Sequence, residues 1–217
     1  NFFASGVLEL KEKLGPILWQ FPPNFTFNAE LFESFLEQLP HNTQQAAALA
    51  RQHDSHVPGH ASIKAYRKRP LRHAVEIRND SFVDPAFVRL LKRYNVALVI
   101  ADTAGKWPYR EDITSNFVYL RLHGAEELYA SGYTAQALKR WGDRIDAWNH
   151  GQQPADPQLI APRLKPQPRK SREVFCYFDN DIKVRAPFDA RRLLERFHLA
   201  DSLATTPGEP AAEGVLS

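Results

Sequence analysis

The sequence predicts an α/β protein built on a parallel (β/α) TIM-type barrel, with about five of the eight strand–helix units of a closed barrel present. Three observations carry this expectation. Five short runs rich in β-branched and aromatic residues punctuate the chain, as expected of parallel strands covered on both faces. Amphipathic helical stripes with recognisable start signals lie between or after most of these runs, the alternation of an α/β fold. Polar residues able to do chemistry stand at the C-terminal end of each run, where a parallel barrel gathers its binding groups.

The first strand is read over Gly15 to Phe21 (GPILWQF) and carries Gln20 at its C-terminal end, one residue before Phe21. Leu31, Phe35, Leu36 and Leu39 then form one helical stripe behind Asn28, whose side chain suits an N-cap. The second strand, His73 to Arg78 (HAVEIR), carries Glu76 and Arg78. Asp84-Pro85 is a cap followed by proline at the first helical position, and Phe87, Leu90, Leu91 and Tyr94 recur at helical spacing. The third strand, Val96 to Ala101, runs into Asp102. The fourth, Phe117 to Leu122, holds Arg121 and leads to His123. Leu138, Trp141, Ile145 and Trp148 form the stripe of the next helix, behind Thr134. Val174 to Phe178 is the fifth strand, followed by Asp179-Asn180-Asp181 and a helix marked by Leu193, Leu194 and Phe197.

Residues 1–197 therefore read as one partial barrel domain. It is interrupted by a polar insert at 41–71, helical from Thr43 to Asp54, and by a proline-rich basic loop at 151–172. Residues 198–217 are small, Pro- and Gly-containing, and expected to be a disordered tail.

Composition excludes several classes. The chain is 43% hydrophobic and 24% charged, which is a globular balance. No apolar run approaches a membrane span, and no charged-then-apolar leader opens the sequence, so a cytoplasmic protein is expected. A single cysteine, Cys176, excludes internal disulfides and C-x-x-C sites. There is no methionine at all, which points to a longer protein whose N-terminal part is not in this sequence.

Arg121 and His123 stand two apart and so share one side of a strand. Imidazole suits acid/base chemistry and guanidinium suits an anion. Glu76 and Arg78 are related in the same way; they serve either as catalytic carboxylate and substrate clamp or as an ion pair filling the barrel. Asn180 is a candidate for a substrate hydrogen bond, within a cluster that equally suits a turn. Asp102 is read as a substrate contact or a loop cap, and Trp107 and Tyr109 as a pocket wall or loop packing.

Other patterns fail. Gly105-Lys106 lacks the flanking residues of a phosphate loop, and H-E-x-x-H, G-x-S-x-G and G-x-G-x-x-G are absent. His53, His56 and His60 resemble a metal tract but have no framing helix, so no metal and no cofactor is expected. The stretch Arg163 to Arg172 offers five cations within ten residues without an interleaved aromatic, a weak case for nucleic acid.

The blocks KLGPILWQFPPNF, HAVEIRNDSF, VALVIADTAGKWP, FVYLRLHGAEELYASGY and VFCYFDNDIKVRAPFDA occur in order from Lys13 to Ala190. Together they resemble the YecE-like family, domain of unknown function 72. That resemblance implies a TIM-type barrel without an established activity, and further N-terminal strands that do not occur here. The functional expectation is a small-molecule enzyme, of hydrolase or isomerase type, acting on a polar anionic substrate. In it His123 is the acid/base and Glu76 the second carboxylate. Arg78 and Arg121 hold the anion, Asn180 orients the substrate, and Gln20 and Asp102 contact it. The alternative is a non-catalytic module that binds nucleic acid or another anionic partner through the basic loop.

Overall fold

The computed structural model describes residues 1–57, 59, 61–124, 132–180 and 184–202. Five parallel strands form one sheet in sequence order: β1 Ile17–Gln20, β2 His73–Glu76, β3 Ala97–Asp102, β4 Phe117–Leu122 and β5 Glu173–Phe178. Each strand adds beside its predecessor, which is barrel winding rather than the reversal of a doubly wound open sheet. The helices are α1 Ala29–Glu37, α2 Thr43–Ala50, α3 Pro85–Arg93, α4 Ala135–Asn149 and α5 Ala186–Arg196.

The sheet does not close among the described residues, yet it is curled. Arg72, just before β2, reaches Glu173 at the start of β5 at 2.5 Å and lies over the Phe175 ring, 4.6 Å from its centroid. Gln20 at the end of β1 accepts a hydrogen bond from Arg121 of β4 at 3.1 Å. In a flat sheet these strands would stand three spacings of about 4.8 Å apart, so the contacts require an inward-curving surface. Its concave face is small and aromatic: Ala74, Ala97, Val99, Ala101, Phe117 and Tyr119, with Leu18 and Phe175 beside them. The other phase of the pleat, including Val75, Leu98, Ile100, Leu120 and Leu122, packs outward under the helices.

Capping sets the helix starts. Asn28 Oδ1 accepts from the Leu31 N–H at 2.9 Å, and Asp84 Oδ1 from the Ala86 N–H at 2.6 Å ahead of Pro85. Thr134 Oγ1 accepts from the Ala137 N–H at 3.1 Å. Phe32 and Leu36 of α1 then pack with Phe82 and Phe87 in a cluster of rings.

Two stretches differ from the sequence reading. The insert at 41–71 is not simply polar. Ala46, Ala47 and Ala50 of α2 pack with Phe3, Ala4 and Leu8 from two short 3₁₀ segments, Phe2–Ala4 and Val7–Lys13. Alanine burial gives little periodic signal beside glutamines, which hid this small core. The loop at 151–172 is pinned rather than free: Glu111 Oε2 accepts from Gln158 N–H at 2.8 Å, and Asp112 accepts from the Ile160 and Ala161 N–H groups. This loop and residues 103–116, which join β3 to β4 without a helix, hold each other in place. No helix of the described residues is long and apolar enough to cross a membrane.

The anchor of that pair of loops is an ion pair between Arg144 of α4 and Glu111, at 3.0 Å with both side chains essentially buried. Removing one partner leaves the other charge uncompensated in a dry environment. Arg144→Ala is expected to lower unfolding free energy by about 3–5 kcal/mol, read by urea denaturation. A loss no larger than that of a typical surface substitution, within about 0.5 kcal/mol, would mean the pair does not hold the loops.

Candidate site at the C-terminal rim of the sheet

The concave phase of the pleat continues past the strand ends. It carries Gln20 from β1, Glu76 from β2 and Arg78 two residues past it, Arg121 from β4 and His123 just past it, and Asp179 just after β5. Glu76 is fully buried. Each of its oxygens accepts from a different guanidinium: Oε1 from Arg78 Nε at 2.8 Å and Oε2 from Arg121 at 2.5 Å. Arg121 also donates to Asp179 Oδ2 at 2.6 Å, and the other oxygen of Asp179 lies 2.7 Å from His123 Nδ1. The Arg78 guanidinium stacks 3.7 Å from the Trp107 ring centroid, and Trp107 meets the His123 ring edge-on at 6.3 Å. These contacts form a closed circuit of six side chains drawn from four loops and strand ends.

Charge within the circuit is balanced, with two guanidiniums facing two carboxylates. Burial alone would lower the pKa of Arg121, but Glu76, then Asp179, outweigh it and hold it above its usual value. Below the circuit, Tyr119 stacks on Tyr177 with centroids 5.0 Å apart, and burial foremost pushes the Tyr119 phenol up to about 12. The rim thus rests on an apolar and aromatic floor.

One feature of the rim stands apart from simple charge pairing. Gln20 is exposed, and its Oε1 accepts from both Arg78, at 2.7 Å, and Arg121, at 3.1 Å. A neutral oxygen occupies the point where two guanidiniums converge.

Asp102 and Asn180 lie elsewhere. Asp102 pairs in register with Leu122, in the outward phase. It accepts from the Tyr133 hydroxyl at 3.1 Å and lines a cavity of about 540 Å³ with Tyr109, Arg140 and Trp141. Asn180 is fully buried and donates to Asp189 of α5 at 2.9 Å, where Asp189 also accepts from the Tyr133 N–H at 3.0 Å. These two ends face the helix layer because each is an odd number of residues from the concave positions of its strand. Asp181 and His60 lie outside the described residues. His56 Nδ1 sits 2.9 Å from Asp54 Oδ1 on the surface, and His53 Nδ1 contacts the Asp54 carbonyl.

Sequence reasoning gave Asp179 and Trp107 no firm role. The alternation Phe175, Tyr177, Asp179 carries the signal for the first, since period two places Asp179 beside Arg121 rather than with Asn180. Trp107 had no such signal, because its place depends on the turn at Ala104 and Gly105. Both have positive φ there, and Thr103 Oγ1 accepts from the Trp107 N–H at 3.0 Å.

A parallel, barrel-wound sheet with a polar rim at the strand C-termini defines a (β/α)-barrel-type protein. The profile of the family described as "Protein of unknown function DUF72" matches residues 1–213, and the chain belongs to that family. Among solved structures it is similar to a DUF72 family protein from Thermotoga maritima, at 19% identity and a TM-score of 0.60. That match covers 88% of this chain and 60% of the other. A DUF72 family protein from Enterococcus faecalis is similar at 18% identity and a TM-score of 0.54, covering 89% and 64%. The chain therefore spans less than two thirds of either solved relative. No curated protein matches it.

Burial is the main cause that raises the Asp102 carboxyl pKa, against hydrogen bonds from Tyr133, the Ala104 N–H and Trp141 that lower it. A carboxyl raised on folding favours the folded state while protonated, and that contribution is lost as pH rises from the unfolded value near 3.8 through the folded one. The stability of the parent relative to Asp102→Asn is therefore expected to fall as pH is raised from below 3.8 towards neutrality. Thermal melts of both proteins across that range check the sign. A parent that gains on the variant with rising pH would show that hydrogen bonding, not burial, governs Asp102.

Proposed function

We propose that the rim is the site of a small-molecule enzyme that binds a polar, anionic substrate and performs acid/base chemistry of hydrolase or isomerase type. The observation that carries this reading is the fork at Gln20 Oε1, where two guanidiniums meet on one neutral, exposed oxygen. A carboxylate or phosphoryl oxygen of a substrate makes stronger hydrogen bonds to the same donors than an amide does, so it displaces Gln20. Glu76, the second carboxylate, holds both guanidiniums in that geometry, since each of its oxygens is already committed to one of them.

His123 is the proton carrier in this reading. Asp179 at 2.7 Å from Nδ1 fixes the ring orientation and directs proton exchange to Nε2. Trp107 lies against both His123 and Arg78, and would wall the reacting group from water. Asp102 and Asn180 contribute from behind the sheet, through Tyr133 and Asp189, by setting the ends of β3 and β5.

Gln20→Glu places a carboxylate of the protein at the fork. It is expected to stabilise the chain by about 1 kcal/mol, as an ionised acceptor replaces a neutral one opposite the two guanidiniums. It should also abolish the rise in melting temperature that inorganic phosphate or citrate gives the parent. Small anions that stabilise both proteins equally would place anion binding away from Arg78 and Arg121. Among anions that bind the parent, any that is turned over should still bind His123→Gln without turnover; unchanged turnover would remove His123 from the chemistry.

A further inference from the structure

The N-terminal end of the same sheet presents a second polar surface of opposite character. Residues 64–72 (KAYRKRPLR) and 163–172 (RLKPQPRKSR) each contain five Lys or Arg and no Asp or Glu. They carry more positive charge than the formal net of +3, so the remainder of the chain is net negative. Such segregation is the electrostatic footprint of a polyanion partner. The first segment immediately precedes β2 and the second immediately precedes β5. Because all strands are parallel, both segments lie at the end of the sheet opposite the rim. They meet there, since Arg72 closes the first segment and pairs with Glu173, the residue following the second.

The two ends handle their cations differently. At the rim, Arg78 and Arg121 are engaged with carboxylates. In the basic segments only Arg72 forms an ion pair with a described residue, and Arg172 is buried against the Gln167 carbonyl. Arg67, Lys68, Arg169 and Lys170 are exposed. A cavity of about 500 Å³ opens beside the first segment, lined by Lys11, Tyr66, Arg67 and Arg69 together with one carboxylate, Glu12. Tyr66 is 61% exposed, with the Lys11 ammonium 4.2 Å from its ring centroid and its hydroxyl donating to Glu9 at 3.0 Å. An aromatic ring held in place beside Arg67 and Lys68, which form no ion pair with a described residue, is the combination that stacks an unpaired base while neighbouring cations take its phosphates. Neither segment is helical, so there is no amphipathic face for a bilayer.

We propose that this N-terminal face binds single-stranded nucleic acid, with phosphates on the two basic segments and a base on Tyr66. The proposal does not rest on the function assigned to the rim. It also revises the place of the basic loop, which acts with residues 64–72 rather than alone.

The test is fluorescence anisotropy of a labelled oligo(U) strand with the 217-residue chain, titrated over a range of salt concentrations. The affinity should fall steeply with salt, by a log–log slope of about −0.7 for each phosphate neutralised. Combined Arg67→Gln, Lys68→Gln and Arg69→Gln should make the slope shallower by about two. Arg169→Gln with Lys170→Gln should make it shallower by roughly one. Tyr66→Ala should weaken binding about ten-fold with the slope unchanged, and Tyr66→Phe should restore it. Melting curves check that these substitutions, at exposed positions apart from the half-buried Arg69, leave the fold intact. No binding at low salt, or a slope indifferent to both segments, overturns the proposal. Heparin or duplex DNA bound as tightly as the single strand, with Tyr66→Ala neutral, reduces the face to a nonspecific cation patch and overturns it as well.

Discussion

A carboxylate taken wholly out of water must be met by charged donors, and Glu76 is the place where this chain accepts that constraint. Its two oxygens are divided between Arg78, just past the end of its own strand, and Arg121 two strands away. That division ties β2 to β4 across the intervening β3, on the concave face of the sheet. Arg121 in turn needs Asp179, and Asp179 sets His123, so the geometry of every charged group at the rim follows from one buried side chain. Met by Arg78 alone, Glu76 would keep one buried oxygen without a charged donor, at a desolvation penalty of several kcal/mol (about the size that unpaired buried charges incur).

The pleat then sorts chemistry between two layers. Residues an even number from Glu76 and Arg121 along their strands enter the rim; those an odd number away enter the packing between sheet and helices. Asp102 and Asn180 belong to the second layer, where they bind Tyr133 and Asp189 and fix how α4 and α5 sit against the strand ends. The result is a charged circuit on a floor of small and aromatic side chains, braced from outside by neutral and singly charged hydrogen bonds.

Much of this was legible in the sequence. The five strands, their parallel order and the caps at Asn28, Asp84 and Thr134 follow from apolar runs and start signals that local physics makes explicit. The gathering of Gln20, Glu76, Arg78, Arg121 and His123 follows from parallel strands alone. What was hidden depended on side-chain phase or on loop closure. Treating every strand end as one rim ignored the alternation that turns Asp102 and Asn180 outward. The alanine face of α2, the Glu111–Arg144 anchor and the seat of Trp107 are long-range contacts that no local pattern announces. The basic run at 64–72 was visible as composition, but its meeting with the loop before β5 required the curl of the sheet.

The most direct test of this account is a double-mutant cycle between Glu76→Gln and Arg121→Met, read by chemical denaturation at neutral pH. If Glu76 is held by Arg121 across the curled sheet, the two losses will be non-additive. The coupling should be about 1.5–3 kcal/mol, the range for a buried hydrogen bond between charged groups. Additivity within about 0.5 kcal/mol would show that the two side chains do not depend on each other. The rim would then not be organised around Glu76.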